Sequence, residues 1–294
     1  MSAIADAGVF VPVKASRGYW ASVGARLVRD PTAMVALGVI SLIVLAAIFA
    51  PYIAPADPYR GSMLRRLRPI GFPGYPLGGD ELGRDMLTRL IYGGRLSLFI
   101  GVMPVLLAFV IGSSIGVFAG YVGGKINTVV MRIIDVFFAF PSVLLAIALS
   151  GALGAGILNS IVSLTIVFVP QIARVSEAVT TQIRTRDYVE AARVSGANAF
   201  TIVRVHVLGN VLGPVFVYAT SLISVSMILA SGLSFLGLGV KPPEAEWGLM
   251  LNTLRTAIYS QPMVAALPGV MIFLTSISFN LFSDGLRSAM EVKQ

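Results

Sequence analysis

Six stretches of the chain, at 33–54, 96–119, 127–150, 155–174, 210–236 and 263–283, are apolar and close to the length that crosses a lipid bilayer. About 20 residues of helix span the ~30 Å hydrocarbon layer. Inside that layer every backbone N–H and C=O must find its partner within the chain, so runs of this kind fold as helices. The composition points the same way. The chain is 56% hydrophobic and 12% charged, whereas a soluble domain carries about 25% charged residues. The expected fold class is an all-α polytopic membrane protein with six transmembrane helices.

The first run ends near Pro51 and Pro55, where proline cannot continue a helix. It follows a polar leader with Lys14, Arg17, Arg26 and Arg29, and it is too long for the apolar core of a signal peptide. It therefore reads as a first transmembrane helix whose N-terminus is cytoplasmic. The expected organisation is a cytoplasmic segment at 1–32, the first span at 33–54, an external loop at 55–95, five further spans within 96–285, and a cytoplasmic tail at 286–294. Six spans return the C-terminus to the starting side and place a polar loop at 175–209 in the cytoplasm. Of the 22 Lys and Arg, thirteen then lie inside and nine outside, seven of the nine within 56–95. The positive-inside rule supports this orientation by a narrow margin. The net charge of +8 fits loop orientation and contact with anionic lipid; nucleic acid is not an expected partner.

Several chemistries are excluded. The chain has no cysteine and a single histidine, His206, so it offers no disulfide and no His/Cys metal cluster. A phosphate-binding P-loop needs Gly-x4-Gly-Lys-Ser/Thr. The nearest approach, Gly124-Lys125, is followed by Ile126, and Ala119 stands where the first glycine is required. No catalytic residues, and no cofactor within this chain, are expected. Asp135 lies inside the third run with Arg132 three residues earlier, a spacing that suggests an intramembrane ion pair on one helical face. Asp135 is also the residue that an ion-coupled secondary transporter would use, although Asp284 at the end of the last run is the only similar carboxylate. Gly112, Gly116, Gly120 and Gly124 recur every fourth residue, which makes a groove for close helix packing.

The loop at 175–209 carries the strongest functional pattern. Val189, Ala192, Gly196, Phe200, Val203 and Val207 recur with helical period, with Glu190, Arg193 and Arg204 off the stripe. Gly196 interrupts the run, and Asn198 is placed to cap a second helix over 200–208. Periodicity alone allows two uses, docking of a partner protein or lying on the membrane surface.

The segment Glu190-Ala191-Ala192, followed after three residues by Gly196 and then by an apolar stretch into Val207-Leu208, resembles the EAA loop of ABC-importer permeases. Further stretches resemble the second permease subunit of dipeptide, oligopeptide and nickel importers: Pro76-Leu77-Gly78-Gly79-Asp80-Glu81-Leu82-Gly83-Arg84-Asp85, Gly120-Tyr121-Val122-Gly123-Gly124, Met131-Arg132-Ile133-Ile134-Asp135, Leu233-Ser234-Phe235-Leu236-Gly237-Leu238-Gly239, Glu246-Trp247-Gly248 and Asp284-Gly285-Leu286-Arg287. The resemblance covers about 30–290. Gly209 stands where the family usually has proline, which implies a softer junction with the fifth span. The C-terminal Arg287-Ser288-Ala289-Met290-Glu291-Val292 also departs from the family's acidic Leu-Asp-Pro-like ending.

The resemblance implies a type I ABC-importer permease core in the bacterial inner membrane with a cytoplasmic coupling helix. It implies a second permease subunit, two ATPase subunits that bind ATP and magnesium, and an extracytoplasmic solute-binding protein. Glu190, Ala191, Ala192, Gly196 and Asn198 would carry coupling, with Phe200 and Val203 entering the ATPase groove. Glu246 and Trp247 would dock the binding protein. A non-transporting membrane scaffold that uses the same loop is the remaining alternative.

Overall fold

The computed structural model describes residues 19–291; Lys14, Arg17 and Lys293 lie outside the described residues. Helix α1 (Tyr19–Leu27) leads into α2 (Pro31–Ile48). Asp30 starts α2: its Oδ1 accepts from Thr32 N at 2.9 Å and Ala33 N at 3.2 Å, with Pro31 in the first turn. The helix breaks at Phe49 and resumes as α3 (Ala50–Ile53). After a long loop, α4 (Met86–Val122) runs for 37 residues. It begins well before the expected start near residue 96. Asp85 caps it by accepting from Thr88 N at 2.8 Å, and the arginines that lower the hydropathy there are good helix formers.

The third expected span is not straight. Helices α5 (Gly124–Phe138) and α6 (Ser142–Leu153) meet at 86°, because Pro141 disfavours helix at the residue before it and removes a backbone donor. Next come α7 (Ile157–Arg184), α8 (Asp187–Val194) and α9 (Ala199–Thr201), which runs through a π-helical turn (Ile202–Val207) into α10 (Leu208–Phe235). A short α11 (Trp247–Thr253) precedes α12 (Pro262–Met290). Among the described residues, five helices are long and apolar enough to cross a membrane, or six when the bent α5–α6 pair counts as one span. Arg26 Nη1 donates to the Glu291 carbonyl at 3.1 Å, so the two ends of the described chain lie together.

The bundle is built on the seam between α4 and α7. Phe168, Leu164 and Ile172 of α7 are fully buried against Val105 and Ala108 of α4, with Val211 and Val215 of α10 closing the cluster. Three of the four periodic glycines make this contact possible. A Cβ on Gly112 would lie 2.8 Å from the Val169 carbonyl oxygen, and one on Gly120 would lie 2.8 Å from that of Glu177. A Cβ on Gly116 would collide with the Ala173 carbonyl. Gly124 is outside the seam: nothing lies near it, and its φ of +55° serves the turn into α5.

At the end of the bundle away from α8, a buried charge network ties the 54–85 loop to the 236–246 loop. Asp80 Oδ1 accepts from Leu82 N at 2.9 Å and Arg84 N at 2.8 Å, while its Oδ2 meets Arg84 Nε at 2.6 Å and Arg89 Nε at 3.2 Å. Arg84 also reaches Glu81 at 2.7 Å. Arg89, on α4, donates to the carbonyls of Pro58 at 2.9 Å and Glu244 at 3.0 Å. Removing one partner would strand a buried charge, the costly way to break such a set. Arg95 serves α2 in a similar way, donating to Ala47 O at 2.7 Å and Ile48 O at 3.0 Å.

The glycine seam gives a direct test. Gly116→Val forces α4 and α7 apart, and overpacking of this kind costs about 1–3 kcal/mol or more. The variant is expected to melt several degrees lower in mild detergent, whereas Gly38→Ala on α2, where nothing lies within 4 Å, is expected to melt no lower than the unaltered chain, since alanine favours the helix over glycine.

Candidate functional site

The polar loop folds against the bundle with one face turned in. Asp187 and Glu190 occupy the first turn of α8 and Arg193 its last, a distribution that complements the helix dipole. Gly196, at φ +83°, closes the helix, and Ala197 N donates back to Ala192 O at 3.1 Å. Asn198 then caps α9, its side chain accepting from Thr201 N at 2.8 Å. The apolar stripe seen in the sequence divides. Val189 and Val207 are fully buried, and Ala192 packs partly buried on the same core. Glu190, Ala191, Gly196, Asn198 and Phe200 are exposed.

Val203 corrects the sequence reading. It packs partly buried on the core, whereas Phe200 is largely exposed. The π-helical turn at Ile202–Val207 shifts the register of the helix, so residues three apart across it no longer share a face. The outward apolar residues of this loop are Val194, 89% exposed, Phe200, 73% exposed, Val205 and Tyr188. Val194 and Tyr188 were missed because they lie off the periodic stripe. The signal was available, since an apolar residue on the polar face of a short helix has no core to fill. His206 packs near Tyr188, ring centroids 6.3 Å apart.

Asp135 forms an ion pair, but not with Arg132. Its partner is Arg174 of α7. On a helix the side chains lean toward the N-terminus, so Arg132 leans away from a carboxylate one turn later, whereas α7 presents a guanidinium from the side. Arg174 also lies over the Phe138 ring at 5.7 Å. Arg132 itself is exposed.

Glu246 and Trp247 are not available to a docking protein, contrary to the sequence expectation. Trp247 is 0% and Glu246 2% exposed. Trp247 lies against Gly93 and Gly94 of α4, and its Nε1 donates to Leu90 O at 2.9 Å. Glu246 caps α11: its carboxylate accepts from Gly248 N at 2.9 Å, Leu249 N at 2.8 Å and Ser97 Oγ at 3.0 Å. An aromatic ring and a carboxylate next to a loop read as surface in a sequence, but here the glycine pair on α4 opens a slot that takes them in.

Burial pushes the Glu246 carboxyl above its ordinary value, and the donors from Gly248, Leu249, Ser234 and Ser97 pull only partly back. An acid whose folded pKa is raised contributes stability that is full below its unfolded pKa and is lost as pH rises through the folded value. Glu246→Gln is therefore expected to flatten the fall in melting temperature as pH rises from about 4 upward. Glu246→Ala, which strands two buried N–H groups, is expected to cost roughly 1–3 kcal/mol at every pH. Thermal melts of the three proteins across pH check both outcomes.

The sequence signature described as "Binding-protein-dependent transport system inner membrane component" matches residues 112–293, and that of the "N-terminal TM domain of oligopeptide transport permease C" matches residues 18–69. The glutathione transport system permease protein GsiD of Pectobacterium atrosepticum is 39% identical over 280 residues, covering 95% of this chain and 93% of the relative. The di/tripeptide transport system permease protein DppC of Pseudomonas aeruginosa is 41% identical over 257 residues, covering 86% and 85%. The dipeptide transport system permease protein DppC of Haemophilus influenzae is 37% identical over 266 residues, covering 89% and 90%. A chain of the MetNI methionine ABC transporter in an inward-facing conformation shares the fold, with a TM-score of 0.57 and 23% identity over 69% of this chain and 97% of that one. A signature that spans most of the bundle, with relatives alike along nearly their whole length, places the protein: it belongs to the inner-membrane components of binding-protein-dependent transport systems and is the multi-pass permease subunit of an ABC importer.

Proposed function

We propose that this permease imports short peptides, with di- and tripeptides and glutathione as its solute class, by alternating access coupled to ATPase subunits through the outer face of α8 and α9. The observation that carries the coupling reading is the division of that loop. Its inner residues, Val189, Ile202 and Val207, are buried in the bundle core, while Glu190, Val194 and Phe200 stand free on the other side. A segment anchored in this way transmits a push to α7 and α10 without deforming. The solute class is supported by the relatives named above for glutathione, di/tripeptide and dipeptide transport.

In this reading α8 and both chain termini face the cytoplasm. Two ATPase subunits hold ATP and magnesium, a different permease subunit completes the path, and an extracytoplasmic binding protein delivers solute to the face built by the 54–85 and 236–246 loops. Closure of the ATPases draws the two coupling segments together and opens the permease outward; hydrolysis returns it. Neither alternative read from the sequence is retained. Asp135 is held by Arg174, which removes the free carboxylate that an ion-coupled carrier needs, and a scaffold would not transport.

Phe200→Ala removes an exposed ring without touching the core, and Gly196→Val strains a left-handed position that has open space around it. Losing an anchor side chain at an interface typically costs 1 kcal/mol or more. Both variants, assembled with their partner subunits in proteoliposomes, are expected to show uptake and binding-protein-stimulated ATPase lowered roughly ten-fold at unchanged protein level. Full activity in both would remove α8–α9 from the coupling path.

A further inference from the structure

The loops at 54–85 and 236–246 are far apart in sequence, and among the described residues one direct hydrogen bond joins them. Tyr59 Oη donates to Glu244 Oε2 at 2.9 Å, on the exposed side. The rest of the tie runs through Arg89 near the start of α4, whose side chain is 3% exposed. Its guanidinium serves three segments at once. Nη1 donates to Pro58 O at 2.9 Å and reaches Pro243 O at 3.4 Å, Nη2 donates to Glu244 O at 3.0 Å, and Nε faces Asp80 Oδ2 at 3.2 Å. Pro58 lies 31 positions before Arg89 and Glu244 lies 155 after it. Apolar side chains of similar volume commonly stabilise a buried site at least as well as buried charges do, so stability alone is a weak account of this arrangement. What a guanidinium adds is direction: its rigid, planar fork of five donors fixes the carbonyls it meets relative to one another. Trp247 and Glu246 fasten the second loop to Leu90 and Ser97 of α4, but they make no hydrogen bond to 54–85. Arg89 is therefore the buried group that sets one loop against the other.

We infer that Arg89 is a positioning residue for docking of the extracytoplasmic binding protein, holding the two loops as one preformed platform. This rests on the docking face proposed above. A partner that grips both loops binds tightly only when their spacing is set beforehand, because the cost of ordering them on contact is subtracted from the affinity. Arg89 is buried and takes no part in the contact itself. It acts through Pro58 and Glu244, whose carbonyls it holds. Because Arg89 belongs to α4, the same group also fixes the platform to the helix that makes the seam with α7.

The test uses the full complex in proteoliposomes and follows ATPase rate against the concentration of dipeptide-loaded binding protein. Arg89→Lys keeps a positive charge beside Asp80 but loses the fork, since an ammonium is a point charge. The binding-protein concentration for half-maximal stimulation is expected to rise roughly ten-fold, while the rate at saturating binding protein stays within about two-fold of the unaltered complex. A residue that merely stabilised the fold would lower the saturating rate or the amount of complex and leave the half-maximal concentration where it was; that pattern overturns the inference. Rescue adds a second readout. The chain has no native cysteine, so Tyr59→Cys and Glu244→Cys, at positions whose side chains meet, can be joined by a short bifunctional thiol reagent. Joining them in the Arg89→Lys background is expected to return the half-maximal concentration to within about three-fold of the same joined pair with Arg89 in place. No recovery on joining overturns the inference. Should Arg89→Lys not assemble, Tyr59→Phe decides, since it cuts only the exposed tie: a rise of about two- to three-fold supports the platform, and no rise overturns it. The docking face is checked separately by Leu64→Cys, at a position 85% exposed, carrying a bulky thiol adduct. If the adduct leaves stimulation untouched, the binding protein docks elsewhere and the docking reading fails. If the adduct blocks stimulation while Arg89→Lys shifts nothing, the face stands and the positioning role falls.

Discussion

The close approach of α4 to α7 is the constraint from which the rest of the molecule follows. In a lipid environment apolar side chains gain little by leaving the solvent, so helices associate through close packing and hydrogen bonds. Gly112, Gly116 and Gly120 let two backbones meet with no side chain between them. Because both helices are long, 37 and 28 residues, one seam fixes the geometry at both ends of the bundle. At one end it brings Tyr121 to Arg184 beside α5 and α8. At the other, α4 presents Arg89, Leu90, Gly93 and Gly94 as the floor on which two loops are built.

That floor accounts for three of the seven arginines in 56–95. Arg84 and Arg89 are almost wholly buried and share Asp80, and Arg95 satisfies the carbonyls that α2 leaves unpaired at its C-terminal end. These charges are consumed by local partners. A statistical rule that counts basic residues in loops treats them as free.

How much of this was legible follows from the same distinction between local and non-local causes. The apolar runs fixed the helices, the spacing of Gly112, Gly116 and Gly120 announced the seam, and Asn198 could be read as a cap because a cap is made with residues next in sequence. What failed was each inference that needed a neighbour distant in the chain. Arg132 was the near partner in sequence for Asp135, but α7 supplies Arg174 from 39 positions away. Trp247 and Glu246 looked like surface because the slot that receives them belongs to α4, some 150 positions earlier. Val203 was misplaced for a subtler reason: a π-helical turn changes the register without leaving any compositional trace.

The arrangement also limits how movement can pass through the chain. The outer face of α8 and α9 is attached to the core by Val189, Ile202 and Val207, and α10 grows directly from the π-helical turn without a loop. A displacement applied there has no slack in which to dissipate before it reaches α10, and through the shared core α7 and α4. The network around Asp80 and Arg89 holds the opposite loops on α4, so they travel with it. The α5–α6 pair is different: it has a sharp bend at 139–141 and fewer buried residues than its neighbours. On the alternating-access reading, the bundle turns as one body while α5–α6 is the element whose surroundings change.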